Sequence, residues 1–595
     1  MSDYRPPVQD MEFVLRELVD LGGLAALPGY EDVSPELAAS VLEEAGKIAA
    51  EVVAPLNRTG DLAGARLENG EVVTAPGWDG AYRALVDGHW IGVSSDPAYG
   101  GMGLPGAVGA AVQEMWQAAN MAFALCPMLT QSAVKALSTC GSEEQKAKYL
   151  HKLVNGEWAG TMNLTEVAAG SDLGAIRTRA VKTGDHYLVS GQKIFITYGD
   201  HTLTDNIIHM VLARTPDAPA GVKGISLFIV PKFLVNDDGS LGARNDLKAL
   251  SLEHKLGIHA SPTAVMSYGD NGGAIGYLVG EENRGLEYMF VMMNSARLNV
   301  GLQGLGIADR AYQQALSYAR ERVQGKPPGG TNASTIIDHP DVRRMLMTMK
   351  AQIEAMRALA YVAAAALDRA AHHPDAAERE AAHRYAELLN PIVKGCCTEA
   401  GVDVASLGVQ IHGGMGFIEE TGAAQHFRDA RITTIYEGTT AIQANDLVGR
   451  KLLRDKAEAA RAALAEAART VEQLAEERDE TLKAIAASLG KGVMAAHDAV
   501  DWLFSAASED ARLPCAASVP LLRLFGVVLG GHQMARAALA ARRHLDAGEG
   551  DARFYDAKLK TARFYAESIL PQSAGLLAAI VHGAQTVMAL DREQF

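Results

Sequence analysis

Between Val404 and Arg450 the chain reads VASLGVQIHGGMGFIEETGAAQHFRDARITTIYEGTTAIQANDLVGR. Within it, Tyr436-Glu437-Gly438-Thr439-Thr440 sets a single carboxylate in a glycine-flanked, apolar loop ahead of the helix-like run AIQANDLVGRKLL. Apolar surroundings raise a carboxyl pKa toward working pH, which suits proton abstraction. The missing side chain at Gly438 leaves room for a ligand against the backbone. The same residues also read as an ordinary helix start, with Thr440 as the capping hydroxyl. On this segment alone the two readings stand level.

Two other stretches carry chemical groups. Asn163 to Asp172, NLTEVAAGSD, combines small residues with exposed amides and lies where a helical pattern gives way to a strand pattern. Such a stretch presents N–H groups to an anion or a flat heteroaromatic ring, or is a surface turn. In the strand-like GQKIFITYG that follows, strict alternation puts Phe195 and Thr197 on one face, an aromatic ring beside a hydroxyl. Asn294, Arg297 and the run Arg320-Glu321-Arg322-Val323-Gln324-Gly325 fall in helical pattern, where an arginine usually marks a solvated face. His254, His259, His412 and His426 are scattered without ligand spacing and read as structural, with no metal site.

These groups must be positioned by three kinds of element. From Pro35 to Leu56 the apolar residues recur at three- and four-residue steps, and helices are expected up to about residue 155. DPAYGGMGLP, Asp96 to Pro105, interrupts them as a loop, and Ser142 with Gln145 three residues later predicts a capping box. After residue 160 the period changes. HYLVSGQKIFITYG, NIIHMVLAR, GISLFIVPKF, PTAVMSY and GAIGYLVG are short β-branched runs between turn residues, as in an antiparallel barrel or sandwich. From Gly285 the pattern is helical again, and Asp338 is a candidate cap before Pro340 at a first turn. Beyond Lys451 comes an alanine-rich amphipathic helix, and helical character persists to the end. AGLLAAIVHGAQTVMAL, 17 residues with a histidine and a glutamine, falls short of a membrane span and reads as a buried helix.

The fold class is therefore mostly α with a central β domain. The expected domains are 1–158 (helical), 159–282 (β-barrel), 283–453 (helical bundle with the glutamate loop) and 454–595 (helical extension). A chain of 595 residues is too long for one core. Its 55 basic and 71 acidic residues give a net charge of −16, which argues against nucleic acid or an anionic membrane as the main partner. Five cysteines, odd in number and without metal-ligand spacing, read as reduced thiols. Asp3, Asp10 and Glu12 stand where a signal peptide would need a basic start and an apolar run, so a cytoplasmic location is expected.

GVQIHGGMGF, FRDARI and IYEGTTAIQ, in that order and spacing, resemble the C-terminal signature of the acyl-CoA dehydrogenase flavoproteins, and the resemblance extends through most of residues 90 to 453. It implies a helical N-domain, an antiparallel β-barrel and a helical bundle, with FAD as cofactor. The implied reaction is α,β-dehydrogenation of an acyl-CoA thioester to the trans-2-enoyl-CoA, with Glu437 as base and an electron-transfer flavoprotein as electron acceptor. The backbone N–H of Glu437 and a flavin ribityl hydroxyl would hold the enolate-like oxygen, as an oxyanion hole does. Further implied roles fall on flavin contacts Leu164, Thr165, Phe195 and Thr197, and on Ser171 toward cofactor and acyl-CoA. Asn294, Arg297, Tyr436 and Gly438 match the substrate side, and Thr439 and Ala441 the cofactor. Arg322 and Gln324 match the FAD pyrophosphate side, and Gln410, Gly413 and Gly414 the adenine side, these contacts coming from a neighbouring subunit. The chain departs from the family in having Phe195 where most members carry tryptophan, and RERVQGK lacks a phenylalanine that usually precedes the glycine.

The N-terminal MSDYRPPVQDMEFVL, the length and the helical extension resemble the long-form branch that acts on 3-methylmercaptopropionyl-CoA, which grades into enzymes for short and medium acyl-CoAs. An acyl-CoA oxidase and a DNA-associated flavoprotein of the alkylation-response type share the fold and are the rival readings. The extension is expected to widen a dimer interface and give a homodimer, against the alternative of a tethered satellite domain.

Overall fold

The computed structural model describes residues 4–595, and Asp3 lies outside them. The chain packs as two compact units. One comprises the residues up to Gly46 with Pro105–Ala118 and Val300–Phe595, the other Lys47–Leu104 and Ala119–Asn299.

The second unit is built around a curled sheet. Ahead of it stands helix α1 (Glu143–Val154), whose Ser142 and Gln145 form the reciprocal capping box expected of them. The strands are β1 (Trp158–Asn163), β2 (Arg179–Thr183), β3 (His186–Thr197), β4 (Asn206–Ala213), β5 (Ser226–Pro231), β6 (Leu247–Leu252), β7 (Thr263–Tyr268) and β8 (Ala274–Leu278). Their order is β6-β7-β3-β8-β5-β4-β1, with β2 beside β3. Pairing is antiparallel except between β1 and β4, which run parallel from Trp158↔Asn206 to Asn163↔Val211. The chain between those two strands passes through a long loop and the β2–β3 hairpin, which gives it the length a parallel crossover requires. Every residue of β4 and β5 is buried. Ile208, Met210 and Leu212 pack with Tyr149, Leu150 and Leu153 of α1, while Val211, Phe228 and Val230 form the other face with Val189 and Met266. Covering on both faces explains why these two strands read as continuous apolar runs.

Helix α2 (Gly285–Glu321) is one continuous 37-residue helix. α3 (Pro340–His372) and α4 (Ala376–His412) form the bundle of the first unit. Pro340 opens α3 as expected, but the cap is His339, without a side-chain hydrogen bond. Asp338 instead closes the 3-10 turn Ile336–Asp338 and accepts a hydrogen bond from the Ser334 hydroxyl, so its carboxylate is already engaged.

After the short helix α5 (Thr440–Asp446) come α6 (Glu458–Glu476), α7 (Glu480–Glu509), α8 (Ser518–Ala547) and α9 (Ala552–Ser568). This extension is no tethered satellite, for α8 and α9 pack on α3 and α8 also on α4 and α5. Backbones approach closely there: a Cβ on Gly395 of α4 would lie 2.5 Å from Leu522 Cδ2, and one on Gly526 of α8 would lie 2.3 Å from Cys396 Sγ. The stretch AGLLAAIVHGAQTVMAL, expected to be a buried helix, instead lies at the surface. Ile580 and Ala584 are buried there, whereas Val587, Met588 and Leu590 are about half exposed. One third of the most apolar window within Ala552–Val587 is buried. Apolar composition alone does not say which face finds a partner.

Candidate active-site segments

The glutamate loop belongs to the first unit. A 3-10 turn, Arg431–Thr434, leads into Ile435 and Tyr436. The Tyr436 hydroxyl donates to Gln303 Oε1, and Gln303 Nε2 donates to Gln117 Oε1 at 3.2 Å, so the ring is tied into the bundle. Burial, with the Glu437 charge next, pushes the Tyr436 phenol far above its ordinary pKa and keeps it neutral. Glu437 and Gly438 then take consecutive left-handed conformations, with φ of +54° and +88°. Gly438 is needed there twice over, since an added Cβ would also lie 2.8 Å from Gln443 Nε2. Lys394 Nζ, fully buried on α4, donates to the Gly438 carbonyl at 2.7 Å. Gln443 Nε2 donates to the carbonyls of both Glu437 and Gly438 at 3.1 Å.

Thr439, not Thr440, caps α5, its hydroxyl accepting from the Ile442 N–H at 3.3 Å. Thr440 turns the other way and donates to Glu399 on α4. Glu437 is half-buried, and its loop is not the purely apolar setting expected from the sequence, because a buried ammonium serves its backbone. Ala441 is exposed one residue into the helix.

The amide-rich segment and the strand after it belong to the second unit, and the structure brings them together. Lys193 Nζ donates to the Leu164 carbonyl at 2.9 Å and to Glu166 Oε1 at 2.8 Å, and the Ile194 N–H donates to the Thr165 carbonyl at 2.9 Å. Glu166 also accepts from the Thr178 hydroxyl at 2.6 Å and the Arg177 N–H at 2.6 Å. Burial alone would raise the Glu166 carboxyl, but Lys193 and these donors hold it below its ordinary range. Burial draws the Lys193 ammonium down to about 8. Leu164 is thereby buried and Thr165 half-buried, while Ser171 at the far end is exposed.

Phe195 and Thr197 flank the buried Ile196, and the alternation breaks just before them, between Lys193 and Ile196. Ala264 pairs with Ile196 but Met266 with Lys193, so Ile194 and Phe195 together face the single residue Val265 in a bulge, with φ of +59° at Phe195. The bulge leaves the Phe195 ring 57% exposed beside a half-buried Thr197, with Ile196 buried between them. Also in this unit, Arg297 is buried, its Nη1 donates to Asn294 Oδ1 at 3.4 Å, and its guanidinium lies 5.9 Å from the Phe290 ring centre.

Back in the first unit, Arg322 and Gln324 are exposed on a loop pinned by Ile336 N–H to Arg322 carbonyl and Gln324 N–H to Ser334 carbonyl bonds of 2.8 and 3.1 Å. Gln410, Gly413 and Gly414 are exposed at the end of α4, and a Cβ on either glycine would meet nothing within 4 Å. In the second unit an open aromatic face with a hydroxyl beside it, over backbone of fixed direction, suits a flavin ring, and in the first unit an exposed arginine is of the kind that takes a pyrophosphate. Sequence reasoning missed Lys394, Gln443, Lys193 and Glu166. The signal was there for two of them, a single lysine inside the apolar run PIVKGCC and another inside a β-branched strand.

Four family models match the chain: "Acyl-CoA dehydrogenase, N-terminal domain" over residues 36–157, "middle domain" over 161–270, "C-terminal domain" over 283–453, and "Acetyl-CoA dehydrogenase C-terminal like" over 463–591. A 3-methylmercaptopropionyl-CoA dehydrogenase of Ruegeria pomeroyi is 52% identical over 95% of this chain and 96% of its own length. A broad-specificity linear acyl-CoA dehydrogenase of Mycobacterium tuberculosis is 35% identical over the whole of both chains. Among solved structures, an acyl-CoA dehydrogenase of Bacillus anthracis complexed with FAD superposes with a TM-score of 0.73 at 21% identity, over 98% of this chain and 92% of that one.

Proposed function

Because the chain belongs to the acyl-CoA dehydrogenase family, whose members are FAD-dependent oxidoreductases acting on acyl-CoA thioesters, we propose that Glu437 is the base that removes the α-proton of the bound thioester. The observation that carries this reading is the glutamate loop itself. Two successive left-handed residues, with their carbonyls held by Lys394 and Gln443, give the carboxylate a fixed backbone from which to act. An α-C–H beside a thioester is too weak an acid for an unassisted carboxylate, so N–H groups of the same loop would stabilise the enolate-like oxygen. FAD, when bound, supplies the acceptor for the β-hydrogen as hydride.

The chain's own residues divide the remaining work. Phe195 would stack on the cofactor ring and Thr197 would hydrogen-bond it, beside a backbone at Leu164 and Thr165 that the Lys193–Glu166 pair keeps in place. In the second unit Ser171, Asn294 and Arg297 would serve the acyl-CoA; in the first, Tyr436 would serve the acyl-CoA and Thr439 and Ala441 the cofactor. Arg322, Gln324, Gln410, Gly413 and Gly414 serve the FAD of a neighbouring subunit, a role supported by their exposure. Met415, Phe417 and Ile418, apolar and 48%, 86% and 45% exposed, support burial of that edge in a homodimer. An electron-transfer flavoprotein is the partner that would take up the electrons.

The preferred substrate is 3-methylmercaptopropionyl-CoA, supported by the Ruegeria relative, with short and medium acyl-CoAs as slower alternatives. A thioether and a methylene differ little in size, and discrimination at that level is worth about 1–3 kcal/mol. The test is flavin bleaching with a panel of acyl-CoAs, run beside the Glu437→Gln variant. We expect the methylthio substrate to bleach fastest, and the variant to bind FAD yet lose nearly all turnover. Undiminished bleaching in the variant would overturn the base, a clear preference for butanoyl- or octanoyl-CoA the substrate, and stoichiometric hydrogen peroxide release would make the protein an oxidase.

A further inference from the structure

Lys394 is a fully buried lysine in one of the most apolar parts of the bundle, flanked on α4 by the buried Ile392, Val393, Gly395 and Cys397. An ammonium taken out of water at such a site costs several kcal/mol unless hydrogen bonds compensate it. One such bond goes to the Gly438 carbonyl at 2.7 Å, next to the glutamate. We propose that Lys394 is a positioning residue for Glu437, holding the loop in the conformation that aims the carboxylate. This rests on the reading of Glu437 as the base.

The loop needs holding. A glutamate with φ of +54° sits in the left-handed region that L-residues disfavour, so an unrestrained loop would relax away from it. Three contacts oppose that relaxation from behind: Lys394 on the Gly438 carbonyl, Gln443 on the carbonyls of Glu437 and Gly438, and Glu399, also on α4, on the Thr440 hydroxyl. Since the peptides are trans, carbonyls drawn inward leave the N–H groups of Gly438 and Thr439 pointing the opposite way. The Lys394 backbone is held within α4, where its carbonyl also accepts from the Thr398 hydroxyl at 2.8 Å.

The C-terminal extension completes the device. Leu522 of α8 fills the space against Gly395, one residue from Lys394, and the Cys396 thiol donates to the Leu522 carbonyl at 3.4 Å. Water is thus kept from the back of the clamp, where a low local dielectric strengthens a charge-assisted hydrogen bond. On this account the extension does not touch the reacting atoms but keeps dry the groups that aim the base.

The test compares Lys394→Met and Gln443→Met with the parent in the full-length holoenzyme, reading FAD content, kcat and KM for butanoyl-CoA, and α-proton exchange into D2O. For Lys394→Met we expect full FAD, KM within about threefold, and kcat and proton exchange lowered together by about 10- to 100-fold, the scale of an ångström-level misplacement. Gln443→Met should show the same split to a smaller degree. A Lys394→Met enzyme within about twofold of the parent in kcat would overturn the inference, and so would one that loses FAD or shifts KM in step with kcat, since either marks a merely structural lysine. Glu437→Gln, run in parallel, separates the two claims. If it still turns over, the base is misassigned; if it is inactive while Lys394→Met is normal, only the clamp falls.

Discussion

Lys558, on α9 of the C-terminal extension, places its ammonium 3.1 Å from Glu354 Oε2 on α3 and also pairs with Asp10 of the N-terminal helix, all three side chains being largely buried. Arg357 continues the cluster, with Nη1 2.5 Å from Asp10 and Nη2 2.5 Å from Glu114. The first and last parts of the chain are therefore fastened to the bundle by one charge network. Removing a single partner from such a network leaves buried charge uncompensated, and Lys558→Met should destabilise the protein by about 3–5 kcal/mol. A thermal melt indistinguishable from the parent would show that the network relaxes without loss.

Asp309 sits at the edge of the same network, 3.7 Å from Arg357. Burial, reinforced by Glu114 and Asp10 against the pull of Arg357, pushes its carboxyl up to about 6. An acid whose pKa is higher in the folded than in the unfolded state binds more protons when folded, so its contribution to stability falls as pH rises between about 4 and 6. Asp10, held far below its ordinary value by Lys558 and Arg357 despite its burial, contributes in the opposite sense. The difference between Asp309→Asn and the parent isolates the first effect. The variant should gain on the parent by up to about 3 kcal/mol as pH is raised from 4 to 6, read from urea midpoints. A difference that does not change with pH would mean that Asp309 is charged throughout.

Phe195 offers an exposed ring from a bulge whose frame is buried. Phe195→Trp should retain FAD and activity within about threefold, whereas Phe195→Ala should weaken FAD binding by about tenfold through lost stacking. Titration of apoenzyme with FAD measures both, and equal affinity for parent and alanine variant would remove the ring from the cofactor site.

Arg322 is exposed within its own chain, its Nη2 donating to Gln324 Oε1 at 3.4 Å. If a neighbouring subunit's pyrophosphate is its partner, Arg322→Ala should purify with depleted FAD and weakened assembly. Normal flavin content would sink the shared site.

Sedimentation or light scattering at working concentration should give the mass of a homodimer, near twice the 63.1 kDa of the chain. A tetramer would show that the extension, which packs on its own bundle, leaves the second interface open.

By itself the sequence determined the kinds of element and their order, because a 3.6- or two-residue period records which faces are buried whatever they are buried against. It also determined the capping box at Ser142 and Gln145, closed within four residues, and the signature around Tyr436-Glu437-Gly438 that places the chain in its family. What needed the tertiary structure were contacts between residues far apart in the chain. Lys193 and Phe195 fall out of a common register because β7 is one residue short opposite them, which no local pattern records. Asp338 lies one residue ahead of the cap, His339, and takes the Ser334 hydroxyl instead, and the 574–590 stretch stays at the surface although its composition is apolar. Lys394 finds Gly438 across 44 residues and Lys558 finds Asp10 across the whole length of the fold. A lone lysine in an apolar helix is visible in the sequence as an anomaly, but the carbonyl or carboxylate that satisfies it is chosen by packing, since only the folded chain brings the two into one dry place.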